Sequence, residues 1–189
     1  MNLPNNWDSV EAKELGEFNA PRAGGYICKV LDARDTISKS GRAMLVIEYD
    51  ICEGEFKDYY YEKFAKDSRQ DKKWKANFYQ LYDGSSLPFF KGMISSIEKS
   101  NQGFIFQGNE IDLKGKVFGG VFGEEEFLKY DGTLGATVRL KYILSTERIR
   151  TGDFKVPSVV TAKSSEQSNS YNNTFASFST SADDEDLPF

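Results

Sequence analysis

Apolar and polar residues alternate with a period of two over Tyr26–Asp35 and again over Met44–Cys52, with Ser38-Lys39-Ser40-Gly41 between them. That pattern predicts two strands joined as a hairpin. In the second strand Leu45, Ile47, Tyr49 and Ile51 form one row, expected to face a core. Met44, Val46, Glu48 and Asp50 form the other, expected to be partly wet. A third strand is predicted over Asp58–Phe64, after Glu53-Gly54-Glu55. Ser68-Arg69-Gln70-Asp71 resembles a capping box, and Trp74, Phe78, Leu81 and Tyr82 follow at helical spacing. A second helix is expected after Pro88, with Phe89, Phe90, Met93, Ile94 and Ile97 in one stripe and Asn101 and Gly103 at its end. Two more strands are predicted over Lys114–Phe122 and Ala136–Ile149, joined through Glu124-Glu125-Glu126 and the turn Asp131-Gly132. A short helix within residues 1–20, over Ser9–Leu15, precedes them all.

Three strands, a helical insertion and two strands is the order of an OB-fold, a five-stranded partly open Greek-key barrel. Other small barrels and α+β folds share parts of it. The expected class is therefore mainly β, with a helical insertion between strands 3 and 4. Beyond Pro157 the composition turns to Ser, Thr and Asn, with too little apolar surface to offset ordering entropy. The chain divides accordingly into a body, 1–157, a flexible linker, 158–182, and an acidic tip, 183–189.

Charge sharpens that division. The net charge is −5, and residues 158–189 contribute −4 of it: Glu166, Asp183, Asp184, Glu185 and Asp186 against Lys163. The body carries 23 basic and 24 acidic residues. Any affinity for nucleic acid must then come from bases gathered on one face rather than from overall basicity. Histidine is absent, which removes imidazole bases and histidine metal ligands. Cys28 and Cys52 have no metal or redox spacing and read as reduced core residues. Neither a cofactor nor a metal site is expected. Glu124, Glu125 and Glu126 with Asp112 are the one concentration of body acids, and consecutive glutamates do not converge as two-metal nuclease chemistry requires. Gly115-Lys116-Val117-Phe118-Gly119-Gly120 lacks Walker spacing and reads as a strand with close backbone approaches. No apolar run approaches the roughly 18 residues of a membrane span. The first residues do not resemble a secretory signal, so a cytoplasmic location is expected.

Single-stranded DNA binding needs cations along the phosphates and aromatic faces for the bases. Tyr59, Tyr61 and Lys63 would share one face of the predicted third strand; rings that stack bases and rings that fill a core are both consistent with this run. Lys72, Lys73 and Lys75 surround Trp74, whose ring fits either stacking or packing. Lys39 and Arg42 lie in the first hairpin loop, and Arg139, Lys141, Arg148 and Arg150 would form a basic track down the last strand unless they are ordinary solvated charges.

The C-terminus, Asp183-Asp184-Glu185-Asp186-Leu187-Pro188-Phe189, offers an aromatic ring, a terminal carboxylate, a stiffening proline and acids for long-range attraction to a basic rim. In this it resembles the single-stranded DNA-binding protein family, whose bacterial members end in acids followed by Ile-Pro-Phe, with Leu187 here in the isoleucine place. The body is more similar to divergent members from phages and mobile elements of Gram-positive bacteria. The resemblance implies a non-catalytic OB-fold that coats exposed strands in DNA replication, recombination and repair, homo-oligomers in some relatives, and recruitment of replication or recombination proteins through residues 183–189. For a phage member the compartment would be the bacterial host cytoplasm. The alternative is an OB-like adaptor or recombination mediator that binds protein rather than DNA.

Overall fold

The computed structural model describes residues 20–161. The predicted N-terminal helix, most of the linker and the whole acidic tip lie outside the described residues.

Five antiparallel strands form one sheet in the order β3-β2-β1-β4-β5. β1 (Gly24–Ile37) is its spine: Cys28 to Ile37 pair with β2 (Ala43–Ile51), and Gly24 to Lys29 pair with β4 (Val117–Leu128). A bulge between Val30 and Asp32 bends β1 between these two halves. β3 (Asn77–Leu81) extends the sheet beyond β2, and β5 (Leu134–Leu144) beyond β4. Among the described residues β3 and β5 are the two edges. The β1–β2 turn forms as its Ser-Gly composition predicts, with Gly41 at φ 77° and Arg42 N–H on the Ser38 hydroxyl at 3.1 Å.

One face of the sheet supplies the core. Cys28, Val30, Leu45, Ile47, Tyr49, Ile51, Phe118 and Phe122 pack there against Met93, Ile94 and Ile97 of α2 (Leu87–Ser100). Met93, Ile94 and Ile97 of the predicted stripe are thus the packed positions, while Phe89 is 37% exposed. Asn101 ends α2 as expected, and its side-chain amide stitches the helix to β4, donating to the Ile97 and Val117 carbonyls (both 2.7 Å) and accepting from Val117 N–H (3.0 Å). Met44 and Val46, expected on the wetter face of β2, are 5% and 1% exposed. β2 is interior to the sheet, and Arg34 and Tyr79 flank Val46 on that face while Thr36 and Leu81 flank Met44.

The opposite face is crossed by α3 (Thr146–Arg150) and the chain after it. Gly25, Gly119 and Gly123 leave the room for this. A Cβ on Gly25 would sit 2.6 Å from the Phe154 ring, one on Gly119 2.4 Å from Ile149, and one on Gly123 3.4 Å from Pro157. Gly119 and Gly120 therefore belong to a strand with close approaches, as their sequence suggested.

Two predicted elements exchange character. Residues 58–64 are not a strand but the start of helix α1 (Tyr59–Lys66), and the helical spacing from Trp74 belongs to a loop followed by strand β3. The reason is long-range. Asp50, at the end of β2 and 4% exposed, accepts N–H bonds from Ile51 (2.8 Å), Tyr60 (3.0 Å) and Tyr61 (2.8 Å). It thereby satisfies first-turn donors that a helix otherwise leaves open. Lys72 Nζ closes the other end by bonding the Phe64 and Asp67 carbonyls at 3.0 and 3.1 Å. The Trp74 indole N–H bonds the carbonyls of Tyr49 (3.2 Å) and Ala76 (3.1 Å), which fixes the chain extended before β3. At the C-terminal end the predicted strand to Ile149 stops at Leu144, and Arg148 and Arg150 lie on α3. Glu124, Glu125 and Glu126 are part of β4 rather than a linker.

Candidate nucleic-acid interface

Aromatic rings and cations come together on α1 and the loop that follows it. Residues 57–75 hold seven basic and four acidic side chains, in a body that carries 23 basic and 24 acidic residues in all. Lys66 is paired with Glu62 at 2.9 Å and Arg69 with Asp67 at 2.6 Å. The Arg69 guanidinium holds the Asp67 carboxyl well below the usual range. Lys57, Lys73 and Lys75 are exposed and face no acid within ion-pair distance among the described residues. Lys63 stands 4.9 Å over the ring of Tyr59, and Tyr61 is 62% exposed.

The helix rearranges the trio Tyr59, Tyr61 and Lys63. In a strand these would line one face; in α1 the spacing of four stacks Lys63 on Tyr59 and turns Tyr61 to another side. Tyr60 and Phe64 are the inward residues. Tyr60 meets Tyr49 edge to face at 5.7 Å, and its burial pushes the Tyr60 phenol far above its ordinary value. The Asp50 carboxyl is raised because its desolvation outweighs the three N–H bonds it receives. Tyr59 continues the ring cluster outward, 5.1 Å from Tyr60 and 6.3 Å from Phe56. Phe56 in turn meets Tyr26 at 6.0 Å. A ladder of rings thus runs from the core to the surface under Lys63.

The other expected contacts are dispersed or already engaged. Lys39 is exposed at the β1–β2 turn. Arg42 bonds Asp83 (Nε to Oδ1, 2.9 Å) and the Ser86 hydroxyl (3.1 Å), tying the hairpin to the start of α2 and lowering the Asp83 carboxyl. Lys72 caps α1, and Trp74 is a packing residue, 5.7 Å from Phe64. The basic track along the last strand does not form. Lys141 is buried in an ion pair with Glu125, and Arg139 lies 3.5 Å from the same carboxylate. Arg148 and Arg150, on α3, bind Asp153 and Glu53, each at 2.8 Å. The sequence reading missed Lys57, masked by its acidic neighbours Glu53, Glu55 and Asp58, and the rings of Tyr26 and Phe56.

A second exposed region is the β4–β5 hairpin, where Phe127, Leu128, Tyr130 and Leu134 face solvent. Over residues 124–139 it holds four acids against two bases. Glu125 turns toward Lys141 and Arg139, and strand alternation sends its neighbours Glu124 and Glu126 to the opposite face. Elsewhere an open depression of about 620 Å³ is lined by Asn101, Phe104, Ile105, Asp112 and Lys116, with Lys116 Nζ 4.4 Å over the Phe104 ring.

Among the described residues no group of His, Cys, Asp or Glu is arranged to hold a metal ion, and no helix is long and apolar enough to cross a membrane. Cys28 and Cys52 are free thiols. No protein-family model matches the chain, and no curated protein is significantly similar to it.

Proposed function

We propose that the protein is a non-catalytic, sequence-independent single-stranded DNA-binding protein whose body contacts DNA through α1 and the loop 67–76. The supporting observation is the coincidence there of unpaired cations (Lys57, Lys73, Lys75) with the exposed Tyr61 and the Lys63–Tyr59 stack. Rings offer π faces to any base and lysines neutralise phosphates without reading sequence. The strand order, in which a long bent β1 pairs with both β2 and β4, supports reading the sheet as an OB-fold barrel open between β3 and β5. On this reading residues 158–182 tether the tip 183–189, which recruits replication or recombination proteins in a bacterial cytoplasm.

Titration of a labelled oligo-dT strand against the full chain tests the proposal. Affinity should fall linearly with the logarithm of salt, by about 0.7 per phosphate neutralised, and duplex of the same length should bind more weakly. Absence of binding at low salt would refute it.

The adaptor reading is favoured by one observation: Arg42, Lys141, Arg148 and Arg150 are all held by acids of the same body. Removing Phe189 separates the roles of body and tip. Partner capture should be lost while DNA affinity stays equal or rises.

A further inference from the structure

β5 closes one side of the sheet, with no strand beyond it among the described residues. At the base of the β4–β5 turn Lys129 N–H bonds the Thr133 carbonyl at 2.8 Å, so the inward-bonding positions of β5 continue through Gly135 and Thr137. The backbone N–H and C=O of Leu134, Ala136 and Val138 then point off the edge. β4 shows the complementary phase: the Glu124 carbonyl and Glu126 N–H turn away from β5 and bond Val160.

Edges of this kind are ordinarily blocked by proline, an outward lysine or an overlying loop. Residues 134–140 contain neither proline nor lysine. Their surroundings are apolar, with Leu128 at 57%, Leu134 at 59% and Tyr130 fully exposed. Phe127 lies across Gly135, where a Cβ would be 2.7 Å from its ring, so this aromatic reaches from β4 over the edge strand.

We propose that this edge joins two copies of the chain, β5 pairing antiparallel with β5 of a second copy about a two-fold axis at Ala136. Leu134 of each copy then lies opposite Val138 of the other, the self-complementary pattern an isologous interface requires. Charge selects a second copy over other occupants. The same register brings the exposed Arg139 beside Thr133 of the second copy and the turn carrying its Asp131, twice by symmetry. A DNA strand would instead meet Glu124, Glu126 and Asp131. The paired segment is short, which places the contact among small interfaces, below about 1,200 Å², and the association in the micromolar range.

Sedimentation equilibrium of the full chain from about 1 to 200 µM tests this, and a shift from monomer toward dimer is expected. Leu134→Lys puts a charge where an exposed leucine stood and should weaken the dimer by at least about tenfold. Ala136→Pro removes an N–H that points off the edge and should do the same, with the circular dichroism spectrum of each variant unchanged. A wild type monomeric throughout the range, or a dimer indifferent to Leu134→Lys, would overturn the proposal.

Discussion

α1 with its loop and the β4–β5 hairpin are both solvent-facing and both carry rings, yet they are built on opposite electrostatic terms. The first has three more bases than acids and leaves Lys57, Lys73 and Lys75 without acidic partners; the second has two more acids than bases, and its Arg139 sits beside Glu125. The first is also a helix that the sheet holds by a buried carboxylate, whereas the second is an extension of the sheet with an open backbone edge. Exposed aromatics alone therefore do not tell the two regions apart. What distinguishes the two is whether the cations nearby are already neutralised within the fold.

The largest expected effect breaks the first region at its support. Asp50→Ala leaves three N–H donors without their acceptor and should cost about 3 kcal/mol, read as a lower midpoint in urea unfolding. DNA affinity should fall with it, because Tyr61 and Lys63 lose the helix that presents them. A pH series on Asp50→Asn adds a sign. The folded carboxyl is raised above its unfolded value of about 3.9, so the proton is held more tightly in the folded state and the stabilising contribution is greatest below that value. As pH rises from there through the raised folded value, the wild type loses stability relative to Asp50→Asn. An unchanged difference between the two proteins from acid to neutral pH would contradict this.

Next comes the face that the hairpin shares with the rest of the sheet. Gly119→Ala places a methyl 2.4 Å from Ile149 and 2.7 Å from the Ser145 carbonyl, and backbone cannot yield as a side chain does. A loss of about 1–3 kcal/mol is expected in thermal or urea unfolding. Gly132, in the hairpin turn, has nothing within 4 Å of such a methyl but a φ of 78°, so any cost there is conformational and local.

Tyr61→Ala should weaken oligo-dT binding by the loss of one stack, about 1–3 kcal/mol, with the unfolding midpoint unchanged because the ring is exposed. Unaltered binding would move the aromatic contact to Tyr59 or away from α1 altogether.

The sheet was legible wherever local pattern and tertiary pairing agree. The β1–β2 hairpin, the α2 stripe of Met93, Ile94 and Ile97, and the Asp131-Gly132 turn all follow from spacing within one segment. Residues 58–82 were misread because their conformation is set from outside. Asp50 is nine residues before α1 begins, and no local signal says that its carboxylate will cap that helix. The same holds for Trp74, whose spacing from Phe78 suits a helix until Tyr49 and Ala76 claim its indole N–H. Of the expected site, Tyr61, Lys73 and Lys75 remain accessible, while Arg42, Lys72 and Lys141 became structural. Sequence shows a base; only the fold shows whether an acid reaches it.

The smallest effects sharpen the comparison most directly. Lys73→Ala and Lys75→Ala should each reduce the dependence of log affinity on log salt by about 0.7, with little change in stability. Arg139→Ala should leave that slope where it was. Its guanidinium already lies 3.5 Å from the Glu125 carboxylate, and its surroundings repel phosphate. Measured side by side on the same oligo-dT, the three variants set the two regions against each other without disturbing the core. If Arg139→Ala lowers the slope as much as Lys73→Ala does, the hairpin contacts phosphate despite its acids, and pairing within the fold no longer separates the two surfaces.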